Sequence, residues 1–160
     1  MGTYRFTPST GLVTLVESTL LEPNGIAFST SFRTLYISDT GAGLPLTPHG
    51  PIVYSSTGPR TIYAFDVSSD FKTLSNKRSI YQAMEYVPDG IKISRDGFLV
   101  VGAGNGVDVL TSEGSPVLRV NMNFTVANIA FVGRDGEELW AVGQKGAARV
   151  RWALRGPPVK

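Results

Sequence analysis

"PNGIAFS" occupies Pro23–Ser29, and "PDGIKIS" occupies Pro88–Ser94. Each stretch opens an apolar run with Pro, then a short oxygen-bearing side chain, then Gly-Ile, and the oxygen-bearing residue changes from Asn24 to Asp89. A repeated head of this kind calls for a search for internal repeats before any other assignment. Downstream of the first copy come "TLYISD" (Thr34–Asp39), "TIYAFDV" (Thr61–Val67) and "RSIYQ" (Arg78–Gln82). Downstream of the second come "FLVVG" from Phe98, "GVDVL" from Gly106 and "PVLRV" from Pro116. A third, weaker copy runs Ala127-Asn128-Ile129-Ala130-Phe131, then "ELWAVG" from Glu138 and "AARVRWA" from Ala147.

Every copy is a set of three or four short apolar runs separated by turn residues such as Arg95-Asp96-Gly97 and Arg134-Asp135-Gly136, the pattern of short antiparallel strands. Asp89 and Asn128 lie 39 positions apart, whereas Asn24 and Asp89 lie 65 apart. The longer interval holds "GAGLPLTPHGPIVYSSTGPR", residues 41–60, a Gly- and Pro-rich insertion. Without it the period returns to roughly 40 residues, the length of a four-stranded propeller blade. A meander in a sandwich also consists of short strands, but it does not repeat them with matched order, spacing and leading motif. The sequence therefore predicts an all-β β-propeller with about three blades in this chain. Residues 1–20 are expected to supply outer strands of a preceding blade, 21–83 a blade carrying the inserted loop 41–60, 84–122 a second blade and 123–160 a last, partial blade. Three blades are too few for a closed ring, so a half-ring is expected, completed by further chain or by self-association.

Composition agrees with this reading and narrows the function. In 160 residues there are 18 Gly and 10 Pro, with only 18% charged residues, which suits strands and tight turns better than long surface helices. Fifteen basic against 13 acidic residues leave a net charge of +2, so neither nucleic acid nor an anionic membrane is an expected partner. No apolar stretch approaches a membrane span. Cysteine is absent and the single histidine is His49, which removes thiolate and multi-imidazole metal sites. The compartment stays open, because secreted proteins also lack cysteine at times.

In a propeller the innermost strand of each blade lines a central channel, and the loop entering it opens on one face of the ring. Asn24, Asp89 and Asn128 occupy that point in three successive copies, so two amides and a carboxylate are expected to converge. Oxygen donors of this kind suit a hard cation such as calcium. Asn and Asp are equally ordinary turn formers, and from the residues alone both readings stand. His49 reads as a solvated loop residue and Asp39 as a strand-end turn residue. Trp140, Trp152, Tyr36, Tyr63 and Phe65 read as packing between blades.

The ordered set quoted above, from "PNGIAFS" through "LYISDT" and "TIYAFDV" to "VPDGIKISRDGFLVVGAGNGVDVL", resembles the family of senescence marker protein, gluconolactonase and luciferin-regenerating enzyme, nearest in flavour to its fungal lactonohydrolase branch. That resemblance implies a six-bladed propeller, a divalent cation at the channel mouth, most often calcium, and hydrolysis of lactones such as those of sugars. It implies Asn24 and Asp89 as cation ligands, with Asp89 also the base that activates water, its pKa held low by the cation. The family's first-blade Glu ligand and a further channel Asn have no counterpart here, and Asn128 rests on the repeat alone. With part of the ligand set missing, the alternative is a catalytically silent module that binds or packs.

Overall fold

A computed structural model describes residues 1–45 and 52–158. His49 and the middle of the inserted loop lie outside the described residues. The described chain is all-β, a partial propeller of twisted antiparallel sheets in sequence order. A two-stranded ribbon of β1 (Thr3–Thr7) and β2 (Leu12–Glu17) comes first. The next sheet has β3 (Pro23–Phe28), β4 (Thr34–Asp39), β7 (Thr61–Val67) and β8 (Leu74–Gln82) in that order. A small hairpin of β5 (Gly43–Pro45) and β6 (Ile52–Tyr54) projects between β4 and β7. The third sheet runs from β9 (Pro88–Ile93) through β10 (Leu99–Ala103) and β11 (Gly106–Leu110) to β12 (Pro116–Asn121), and the last contains β13 (Val126–Val132), β14 (Glu138–Gly143) and β15 (Gly146–Arg151).

The sheets stack face to face, and side-chain alternation along each strand decides which neighbour each residue meets. On β10, Leu99 and Val101 join Tyr36, Ile62, Ala64, Tyr81 and Ile91 between the two four-stranded sheets. Val100 points the other way and packs with Val107, Val109, Val126, Ile129 and Leu139 against the last sheet. A strand covered on both faces has no use for polar alternation, and every residue of β10 and β11 is buried. Leu35, Ile37 and Phe65 form a third cluster with Leu20 on the outer face of the first four-stranded sheet.

Packing of the aromatic residues follows the same logic. Tyr36 is buried between the two four-stranded sheets, Phe65 is buried in the cluster on the outer face of the first, and Trp152 packs against the second cluster. Trp140, expected to pack between blades, is instead 43% exposed. It lies on the outward face of the last sheet, where no further sheet follows among the described residues.

The shared Gly of the two motifs is required by close approach. Neither Gly25 nor Gly90 has positive φ. A Cβ on Gly25 would sit 2.1 Å from the Asp89 carbonyl oxygen, and one on Gly90 would sit 2.5 Å from Asn128 Oδ1. Successive inner strands thus touch through their glycines, β3 on β9 and β9 on β13.

Candidate functional site

The Pro-Asn/Asp-Gly heads bring β3 and β9 side by side at one end of the stack, where a cavity of about 380 Å³ opens. Asn24 and Asp89 both line it, from positions 65 residues apart in sequence. Ser38, fully buried on β4, fastens the two strands together. Its Oγ donates to the Asp89 carbonyl at 2.9 Å and accepts from the Gly25 N–H at 2.7 Å.

Asp89 is electrostatically unusual. Burial pushes its carboxyl up to about 6; the Asn24 amide beside it works in the opposite direction, and the negative charge of Glu22 adds to the rise. The result is a carboxyl group that is partly protonated near neutral pH, with no Lys or Arg lining the cavity among the described residues.

Glu22 was not singled out in the sequence, although a signal was there. It lies two residues before Asn24; the equivalent positions before Asp89 and Asn128 are Val87 and Val126. All three line the cavity. Glu22 Oε2 is buried and has no hydrogen-bond partner among the described residues. Its backbone is firmly held: the N–H donates to Asp39 Oδ1 at 2.9 Å, and the carbonyl accepts from the Thr40 N–H at 3.0 Å and from Thr40 Oγ1 at 3.2 Å. Asp39 also accepts from the N–H groups of Leu21 and Gly41. It therefore ties the strand end to the chain that carries Glu22 rather than facing the channel.

Asn128 lies elsewhere. It is exposed, its Oδ1 accepts from the Ile129 N–H at 2.8 Å, and it is not among the residues lining the cavity. The amide oxygen that the repeat directs toward the axis is instead turned back onto its own strand and the face of Gly90.

One wall is aromatic. Tyr54, from the inserted hairpin, and Tyr86, from the segment entering β9, lie with ring centroids 4.6 Å apart at 34°. Tyr86 is one of the few non-glycine residues with positive φ, at 51°, a conformation in which a bulky side chain is strained. The Tyr54 hydroxyl is raised in pKa by burial, and then by the nearby Tyr86 and Asp89. Ahead of Tyr86, Glu85 accepts from Arg119 at 2.5 Å and from the Asn105 N–H at 3.1 Å. Arg119 also donates to the buried Asp108, which accepts from the Tyr81 hydroxyl at 2.8 Å. This network anchors the segment that presents Tyr86.

A larger cleft of about 680 Å³ lies at the opposite ends of the same strands. Ser and Thr hydroxyls make up nearly half of its lining, and its Arg78 is already paired with Asp66 at 2.7 Å. Its two carboxylates, Asp96 and Glu113, are exposed, whereas Glu22 and Asp89 in the smaller cavity are partly buried.

Comparison with known proteins gives the family and the fold. Residues 41–143 match the family model described as "SMP-30/Gluconolactonase/LRE-like region". The chain is 56% identical over 163 residues to the lactonohydrolase oryL of Aspergillus oryzae, covering 97% of this chain and 37% of that protein. Among solved structures, a gluconolactonase from Xanthomonas campestris is 25% identical with a TM-score of 0.75, covering 98% of this chain and 44% of that one. Regucalcin from Agrobacterium tumefaciens, a calcium-binding protein, superimposes with a TM-score of 0.77 at 15% identity, covering 98% of this chain and 54% of that one. This chain thus spans little more than a third of the curated relative and about half of each solved structure.

Proposed function

Because the chain belongs to the SMP-30/gluconolactonase/LRE-like family, we propose that it serves the hydrolysis of lactones, cyclic esters of the gluconolactone type, with a divalent cation, most readily calcium, held by Asn24 and Asp89. The observation that carries this reading is the meeting of Asn24 and Asp89 at one cavity. The donor set fits a hard cation. It consists of carboxylate and amide oxygens without imidazole or thiolate, and one buried carboxylate oxygen, on Glu22, lacks any partner among the described residues.

When bound, such a cation supplies Lewis-acid polarisation of the ester carbonyl. Asp89 removes a proton from the attacking water as its oxygen bonds to the carbonyl carbon. The ring oxygen then leaves as an alcohol after receiving that proton from Asp89, so that water is added across the acyl C–O bond and the carboxylate is restored. With the cation bound, Asp89 acts as a base through its position beside a water made more acidic by the cation's charge, not through a raised pKa. The low value expected under a cation's charge belongs to the loaded site; burial governs the unloaded one. Asn24 lends an oxygen and moves no proton, which accounts for Asn in one copy and Asp in the other. Tyr54 and Tyr86 keep water from one side of the substrate, while Thr125 and Gln144 offer hydrogen bonds to its hydroxyl groups.

Proton release from glucono-δ-lactone, followed in a pH-stat with calcium and then with a chelator, tests the reading. Turnover that disappears with the chelator and with Asp89→Ala supports it. A rate equal to spontaneous hydrolysis under all conditions supports the second reading, a silent module.

A further inference from the structure

The position two residues ahead of the Asn/Asp head faces the cavity in all three copies, as Glu22, Val87 and Val126. Two of the three are apolar, as expected for a wall, and the third introduces a carboxylate. A buried carboxylate oxygen without a hydrogen bond or a counter-charge is strongly unfavourable. Glu22 Oε2 is in that state, and none of the described residues lining the cavity is basic. Of the species that can enter the open cavity, a small cation answers both the unpartnered Glu22 oxygen and the neighbouring Asp89 carboxylate, which have no basic residue beside them among the described residues.

We propose that Glu22 is itself a direct ligand of the cation held by Asn24 and Asp89, so that this one arc of the propeller provides two carboxylates and an amide oxygen. The inference rests on the reading under Proposed function. Two carboxylates balance a double positive charge, and the remaining positions of a calcium-type shell are left for water and substrate. The backbone bonds from Asp39 and Thr40 hold Glu22 in place before a cation arrives, which reduces the ordering cost of binding.

Terbium luminescence, excited through Tyr54 and Tyr86 and competed with calcium, reads ligation without reference to turnover. Calcium affinity should fall by about tenfold or more in Glu22→Gln, because affinity in such sites follows ligand charge. Asp89→Asn should weaken binding as well, and Glu113→Gln, in the distant cleft, should leave it unchanged. Melting in chelator should show Glu22→Gln folded and no less stable than the parent, since the substitution removes an uncompensated charge. Unchanged affinity in Glu22→Gln alongside a loss in Asp89→Asn overturns the role of Glu22 and leaves the Asn24/Asp89 site standing. No terbium or calcium binding by the parent protein overturns both.

Discussion

Ser38 donates a hydrogen bond from Oγ to the main-chain carbonyl of Asp89 at 2.9 Å, across 51 residues of sequence. The same oxygen accepts from the Gly25 N–H, so one buried hydroxyl sets the spacing between the strands that carry Asn24 and Asp89. Ser38→Ala leaves a buried donor and a buried acceptor unmatched, at a cost of about 1–3 kcal/mol. Chemical denaturation should register that loss. Calcium affinity should fall as well, because the Asp89 backbone is no longer tied to β4; a variant with parental stability and affinity would show that the bond positions nothing.

Gly25 is a stricter constraint. Alanine there places a methyl carbon 2.1 Å from the Asp89 carbonyl oxygen, and the obstacle is backbone, which cannot swing aside. Gly25→Ala should destabilise the protein by about 3 kcal/mol, at the upper end of ordinary overpacking, as read by the thermal midpoint. Gly11→Ala is the informative comparison. It meets nothing within 4 Å and carries only the strain of φ +69°, so it should cost far less.

The raised pKa of Asp89 makes a signed prediction about pH. The folded protein holds the Asp89 proton up to about pH 6, above the ordinary value of 3.8. Between those two values the folded state binds more protons than the unfolded chain. Stability is therefore greatest below the lower value and is lost as pH rises through the upper one, by about 1–2 kcal/mol once solvent screening at the partly open cavity is counted. Asp66, Asp70 and Glu113 are shifted downward and act in the opposite sense, so the informative quantity is the difference between the parent and Asp89→Asn. In chelator, Asp89→Asn should be the more stable of the two at pH 7 and lose that advantage toward pH 4. Equal pH profiles would show that the Asp89 carboxyl is not buried as described.

Tyr86 combines a strained backbone with an aromatic contact. Tyr86→Gly relieves the backbone strain but removes the stack with Tyr54, worth about 0.5–1.5 kcal/mol. The thermal midpoint should therefore move little, while KM for a lactone rises about fivefold with kcat nearly unchanged. A fall in kcat at constant KM would place Tyr86 in the chemical step instead of the substrate wall.

Much of this was legible from the chain alone. Strand identities, their grouping by repeat and the shared head of β3 and β9 follow from local chemistry: apolar runs with β propensity, turns where Gly, Asp and Pro permit them, and a period that only a stacked architecture satisfies. The pairing of Asn24 with Asp89 also follows, because equivalent points of neighbouring repeats must come together when sheets stack. Glu22 was harder to read, since a charged residue beside a proline resembles any solvated turn; only its contrast with Val87 and Val126 marks it. Asn128 shows the reverse, an equivalent position whose amide is drawn to its own backbone.

By itself, then, the order of residues determined the strands, their repeat and the two motif heads, because those depend on neighbours along the chain. Tertiary structure decided which oxygens face one cavity and which turn away, that Gly25 is needed for contact with the next strand, and that the Asp89 carboxyl is raised. Each of these depends on how closely groups from different strands approach and how much water is left between them, and neither quantity is written along a single strand.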